Sequence, residues 1–132
     1  MKAQVNNALN KWTDDLKKSV RKEVASGNIP SPSVFFISNE DATLNIYAHE
    51  FEGSVNEHAD RFRKECNKHS CCAVCYLIVF DQQISFIVET PANYFISVGE
   101  IKGRKLKWND QVFGKDNPAT KNFSRIVEDV IH

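Results

Sequence analysis

The sequence predicts an α+β domain of two layers, with element order α-β-β-α-β-β-β-α, a largely antiparallel sheet and helices packed on one face. Three observations lead there. Apolar residues near both ends of the chain recur at three- and four-residue steps, the period of a helix with one buried stripe. Between those ends lie runs of β-branched and aromatic residues that suit strands. Turns of a few residues separate most of the runs, too short for crossover helices, so neighbouring strands run antiparallel.

Val5, Leu9, Trp12, Leu16, Val20 and Val24 form the first stripe, on a helix from about Lys2 to Ala25 that ends at "SGNIPSP". "SVFFIS" and "TLNIYAHEF" then read as two strands around a "NED" turn. Val55, Ala59, Phe62 and Cys66 mark a second helix from about Ser54 to His69, with Ser54 as N-cap and Glu57 completing a capping box. "AVCYLIVFD", "QISFIVE" and "NYFISVGEI", split by "DQQ" and "TPAN", make a three-stranded meander. "KGRK" turns into a short strand, "KLKW". Phe123, Ile126, Val127, Val130 and Ile131 space a last helix that begins after Pro118.

A chain of 132 residues suits one globular domain, 1–132, large enough to bury a core without staples. The formal net charge of zero argues against a general nucleic-acid coat, which needs a basic excess to displace phosphate counterions. The longest apolar run, Ala73 to Phe80, is too short to span a bilayer, and "MKAQVNNALNKW" lacks the apolar core of a signal peptide. The expected setting is therefore the cytoplasm, without membrane association. All four cysteines fall within ten residues, loops too short to staple distant parts of a fold, which again points to a reducing compartment.

Those cysteines carry the first chemical question. Cys66, His69, Cys72 and Cys75 are spaced C-x2-H-x2-C-x2-C, four donors of the kind zinc takes in a tetrahedron. Against a metal stand the missing glycines that would let the backbone wrap it, and the predicted elements. Cys66 and His69 would end a helix, whereas Cys72 and Cys75 would open a strand and point to opposite faces. The competing expectation, preferred here, is a central strand in which free cysteines act as small apolar residues, with neither metal nor cofactor. "HEFEGSVNEHAD" also gathers His49, Glu50, Glu52, Glu57, His58 and Asp60, but no helical register aligns the two imidazoles.

Glu100-Ile101-Lys102 forms an E-x-K on a predicted strand, so both charges share a face, and Glu89 lies eleven residues earlier. This resembles the acid…E-x-K signature of the PD-(D/E)xK nuclease superfamily over residues 89–102. The resemblance implies a metal-dependent nuclease in which Glu89 and Glu100 hold Mg²⁺ and Lys102 orients the attacking water. The alternative is an ion pair on a solvent-facing strand edge.

Charge is unevenly placed. From Asn39 to Asp60 there are six acids and no lysine or arginine, whereas "KGRKLKW" is basic. Glu50, Glu52 and Glu57 on one side, and Lys105, Lys107 and Trp108 on the other, are candidate binding residues; the second set could follow a nucleic-acid backbone with Trp108 stacked on a base. The same lysines also protect an exposed strand edge. With no phosphate-cradling loop and no convergent catalytic set, the preferred reading is a non-enzymatic accessory module whose partner is another protein.

Overall fold

A computed structural model describes residues 3–41 and 43–127. Helix α1 (Ala3–Ala25) leads into strands β1 (Ser33–Glu40) and β2 (Thr43–Glu50). A 3-10 turn (Asn56–His58) precedes α2 (Ala59–Lys68). Strands β3 (Ala73–Phe80), β4 (Gln83–Glu89), β5 (Asn93–Lys102) and β6 (Lys105–Gly114) follow, then a second 3-10 turn, Pro118–Thr120. The six strands make one antiparallel sheet in the order β2-β1-β3-β4-β5-β6.

Local chemistry sets this topology. Three hairpins have two-residue loops, closed by the pairs Glu40 with Thr43, Phe80 with Gln83 and Lys102 with Lys105. The first loop residue is left-handed each time: Asp41 (φ 51°), Asp81 (φ 55°) and Gly103 (φ 65°). That sign matches the strand twist, and Asp and Gly tolerate it. The link from β2 to β3 carries α2, so β3 pairs with β1 rather than with β2.

Both long helices stop on the same device. At α1 the N–H of Asn28 bonds to Glu23 O and that of Gly27 to Val24 O, with Gly27 at φ 84°. At α2 the N–H of Cys71 bonds to Cys66 O and that of Ser70 to Asn67 O, with Ser70 forced to φ 51°. This motif brings the residue just past the helix against the one three from its end, here Cys71 against Cys66.

The helices do not share a face. Ile37, Ala73, Cys75, Leu77, Ile84, Phe86 and Val88 pack with Leu9, Val20 and Val24 of α1. Val34, Phe36, Val74 and Tyr76 pack with Phe62 and Cys66 of α2 and with Ile126 and Val127. The expected two-layer arrangement is thus replaced by a sheet covered on both sides. The cause is β3, "AVCYLIVF", which is apolar at odd and even positions alike and needs a cover for each. Two other expectations change. "KLKW" is the start of a ten-residue edge strand. The stretch 121–127 of the expected last helix is not helical, and Val130 and Ile131 lie outside the described residues.

Candidate functional site

Glu89 ends β4 on the α2 side, paired in register with Val74 and Tyr94. It is wholly buried. Its carboxylate accepts hydrogen bonds from Lys115 Nζ at 2.6 Å, from Ile126 N at 3.1 Å and from Val127 N at 3.0 Å. Lys115, buried as well, also donates to the carbonyl of Val127, and Arg125 donates to the carbonyl of Lys115. Burial pushes the Glu89 carboxyl up, and the ammonium and the two amides oppose it. The pair fastens the segment after β6 onto the sheet. No sequence signal identifies Lys115, a single charge in a turn between Gly114 and Asp116.

Glu100 and Lys102 lie elsewhere. Gln83, at the opposite end of β4 from Glu89, is the partner of Glu100. Glu89 and Glu100 face the same side of the sheet, but six strand positions separate them, about 20 Å. Glu100 and Lys102 are exposed and 4.0 Å apart. The three residues of the nuclease-like signature therefore do not converge, and the acid of that signature is already saturated.

The cysteines divide between the two cores. Cys66 belongs to the α2 side with Cys71 against it, whereas Cys75 is fully buried on the α1 side and Cys72 packs there too. All four are free thiols. A hydrogen bond from Cys71 pulls the Cys66 thiol down, and the same bond pushes Cys71 up. Burial raises Cys72 and Cys75. His69 stacks on Tyr47 at 3.8 Å and lies 3.4 Å from Glu65. With the sheet between Cys66 and Cys75, the C-x2-H-x2-C-x2-C set does not surround one point. No group of three or more His, Cys, Asp or Glu side chains is placed to hold a metal among the described residues.

The two charged surfaces sit at opposite edges of the sheet. Glu50 ends the edge strand β2, with Glu52 and Glu57 in the turn beyond; all three are exposed and form no ion pair among the described residues. On β6, Lys105 and Lys107 face the α2 side, opposite Lys102 and Glu100. Trp108 faces the other way. It packs on Phe86, with centroids 5.2 Å apart and the Lys17 ammonium 5.8 Å over its ring. It is half-buried and packed against the core on the α1 side, so the reading of Trp108 as a base-stacking platform beside the lysines does not hold.

Each face also has a cavity. One of about 540 Å³ lies between α1 and β4–β6, bordered by Lys17 and Asp110, which pair at 3.0 Å. The other, about 280 Å³, lies on the α2 side between the turn after β2 and the segment Asn122–Ser124. Tyr76, Ile78, Ile87 and Tyr94 form its floor. The sequence does not single out Tyr76, because alternation in a strand that is apolar on both faces distinguishes no side chain. Comparison of the chain with protein-family models, curated proteins and solved structures finds no match.

Proposed function

We propose that this chain is a non-enzymatic binding module, an accessory or regulatory domain, that takes an extended basic segment of a partner protein along β2. The observation that carries the reading is the character of that strand. β2 is eight residues long, "TLNIYAHE", and lies at the sheet edge with one side of its backbone unpaired in the sheet. It has no lysine, proline or glycine, the usual protection of an exposed edge. The other edge, β6, carries Lys105 and Lys107. A strand added to β2 would gain main-chain hydrogen bonds, and Glu50, Glu52 and Glu57 would favour cationic side chains at one end of it. The four free thiols suit a reducing compartment, and the cytoplasm is part of the proposal. No helix among the described residues is long and apolar enough to cross a membrane.

The test is capture of partners by immobilised wild-type chain and by the triple variant E50K/E52K/E57K, followed by titration of the captured protein. The expected result is a partner whose basic segment binds wild type in a salt-sensitive manner and is lost with charge reversal. An unchanged set of bound proteins would end the acidic-edge reading.

A further inference from the structure

The cleft on the α2 side has the properties of a ligand site distinct from the β2 edge. Its floor comes from three adjacent strands, through Tyr76, Ile78, Ile87 and Tyr94. Its two walls are joined: Ser124 Oγ hydrogen-bonds to Asn56 Oδ1, and the Tyr94 hydroxyl donates to Ser124 O at 3.3 Å. The space is therefore formed before anything enters it. A volume of about 280 Å³ equals about nine waters at ~30 Å³ each, enough for a single-ring molecule.

The polar chemistry is narrow. Tyr76 is 3% exposed, and its hydroxyl has no hydrogen-bond partner among the described residues. A buried hydroxyl in that state is costly, and its oxygen is covered, so an acceptor that displaces the side chains over it would satisfy it. Tyr94, the other phenol, is already committed to Ser124. Burial, then the nearby Glu89 carboxylate, pushes Tyr76 well above the ordinary phenol value, so it remains a donor.

Charge narrows the choice further. The Glu57 carboxylate crowds Gly53 in one wall, and the exposed Glu52 is adjacent in the chain. Of the nearby cations, Lys115 is bound to Glu89 and Arg125 donates to the Lys115 carbonyl, so an anion would meet two carboxylates with both cations already engaged.

We propose that this cleft binds a small neutral aromatic molecule bearing a carbonyl-type acceptor, with the ring over Ile78 and Ile87 and the carbonyl oxygen accepting from the Tyr76 hydroxyl.

The test is an NMR titration of the full chain with three probes of similar size: acetophenone, ethylbenzene, which lacks the acceptor, and benzoate, which adds a negative charge. Acetophenone shifts the Ile78, Ile87 and Tyr94 resonances. Ethylbenzene binds about two- to tenfold more weakly, the value of one hydrogen bond, and benzoate does not bind. In Tyr76→Phe, which keeps the ring, acetophenone drops to the ethylbenzene level while ethylbenzene is unaffected. Absence of shifts in the cleft with acetophenone overturns the proposal. So does equal affinity for acetophenone and ethylbenzene in the wild type, which would mean that the hydroxyl is met by a buried water only. The wild-type comparison decides the matter even if Tyr76→Phe fails to fold.

Discussion

Replacing Lys115 by Met tests the central electrostatic feature of the fold. Met fills the space of the lysine stem but removes the ammonium 2.6 Å from Glu89 and its second bond to the Val127 carbonyl. What remains is a carboxylate with no solvent exposure, held by the amides of Ile126 and Val127. Breaking a buried pair by removing one member costs about 3–5 kcal/mol, because the other charge stays buried and uncompensated. Against a total stability of roughly 5–15 kcal/mol, that is a large fraction. At ~3–5 °C per kcal/mol for a chain of this length, the midpoint should fall by about 10–25 °C. Circular-dichroism melts and urea titrations at neutral pH provide the measurement.

The pH dependence has a definite sign. Burial already raises Glu89, and loss of Lys115 raises it further. A carboxyl whose folded pKa lies above its unfolded value contributes stability that is present below the unfolded value, about 4.5, and is lost as pH rises through the folded one. The deficit of Lys115→Met relative to wild type should therefore be smallest below that window and grow above it. Adding Glu89→Gln should recover most of the loss at neutral pH. Strictly additive losses in the double variant, with coupling under about 0.5 kcal/mol, would refute the claim that the two groups act as a pair.

Other positions give sharp outcomes. In Gly99→Ala the new methyl would meet Leu106 Cδ1 at 2.7 Å and Trp108 Cζ3 at 2.9 Å, so overpacking should cost about 1–3 kcal/mol and shift tryptophan emission. Ser70→Gly relieves a left-handed residue at the end of α2 and should stabilise by about 0.5–1 kcal/mol in chemical unfolding. Glu100→Ala, with its partner Lys102 exposed and 4.0 Å away, should change stability by less than about 0.5 kcal/mol in the same assay. Under maleimide labelling read by mass spectrometry, Cys75 should react only on unfolding, and the half-buried Cys71 and Cys72, whose thiols are also raised, should modify in the native state more slowly than a free thiol.

Periodicity made the strands and both long helices legible, because a half-buried element repeats its apolar residues at its own period. It could not say which face each helix covers. That choice rests on β3, where Cys75 and Tyr76 point to opposite cores although the sequence presents them as equivalent apolar neighbours. Motif reading failed in a related way. Glu89, Glu100 and Lys102 lie close in sequence spacing and share a face, but the β4–β5 hairpin sends the two acids to opposite ends of a strand. The true partner of Glu89 is Lys115, brought in by the segment after β6 across 26 residues. No local pattern encodes a contact of that length. Trp108 misled for a simpler reason: strand alternation turns it away from Lys107, its neighbour, and under α1.

The groups with raised pKa values and the exposed acids lie in different parts of the fold. Acid–base catalysis needs a group with a shifted pKa within reach of a substrate and of a second functional group. Here burial raises Tyr76, Cys75 and Glu89 inside the two cores, where Glu89 holds the segment after β6 in place, while the half-buried Cys71 is raised by its bond with Cys66. The exposed acids Glu50, Glu52 and Glu57 face solvent, with His58 Nε2 2.6 Å from the Glu52 carbonyl oxygen. Those acids border the unprotected edge of β2 and the aromatic cleft on the α2 side. The turn Phe51–Asn56 connects them, since it leaves the end of β2 and forms one wall of the cleft. A strand docked on β2 and a molecule in the cleft would thus both act on the same six residues.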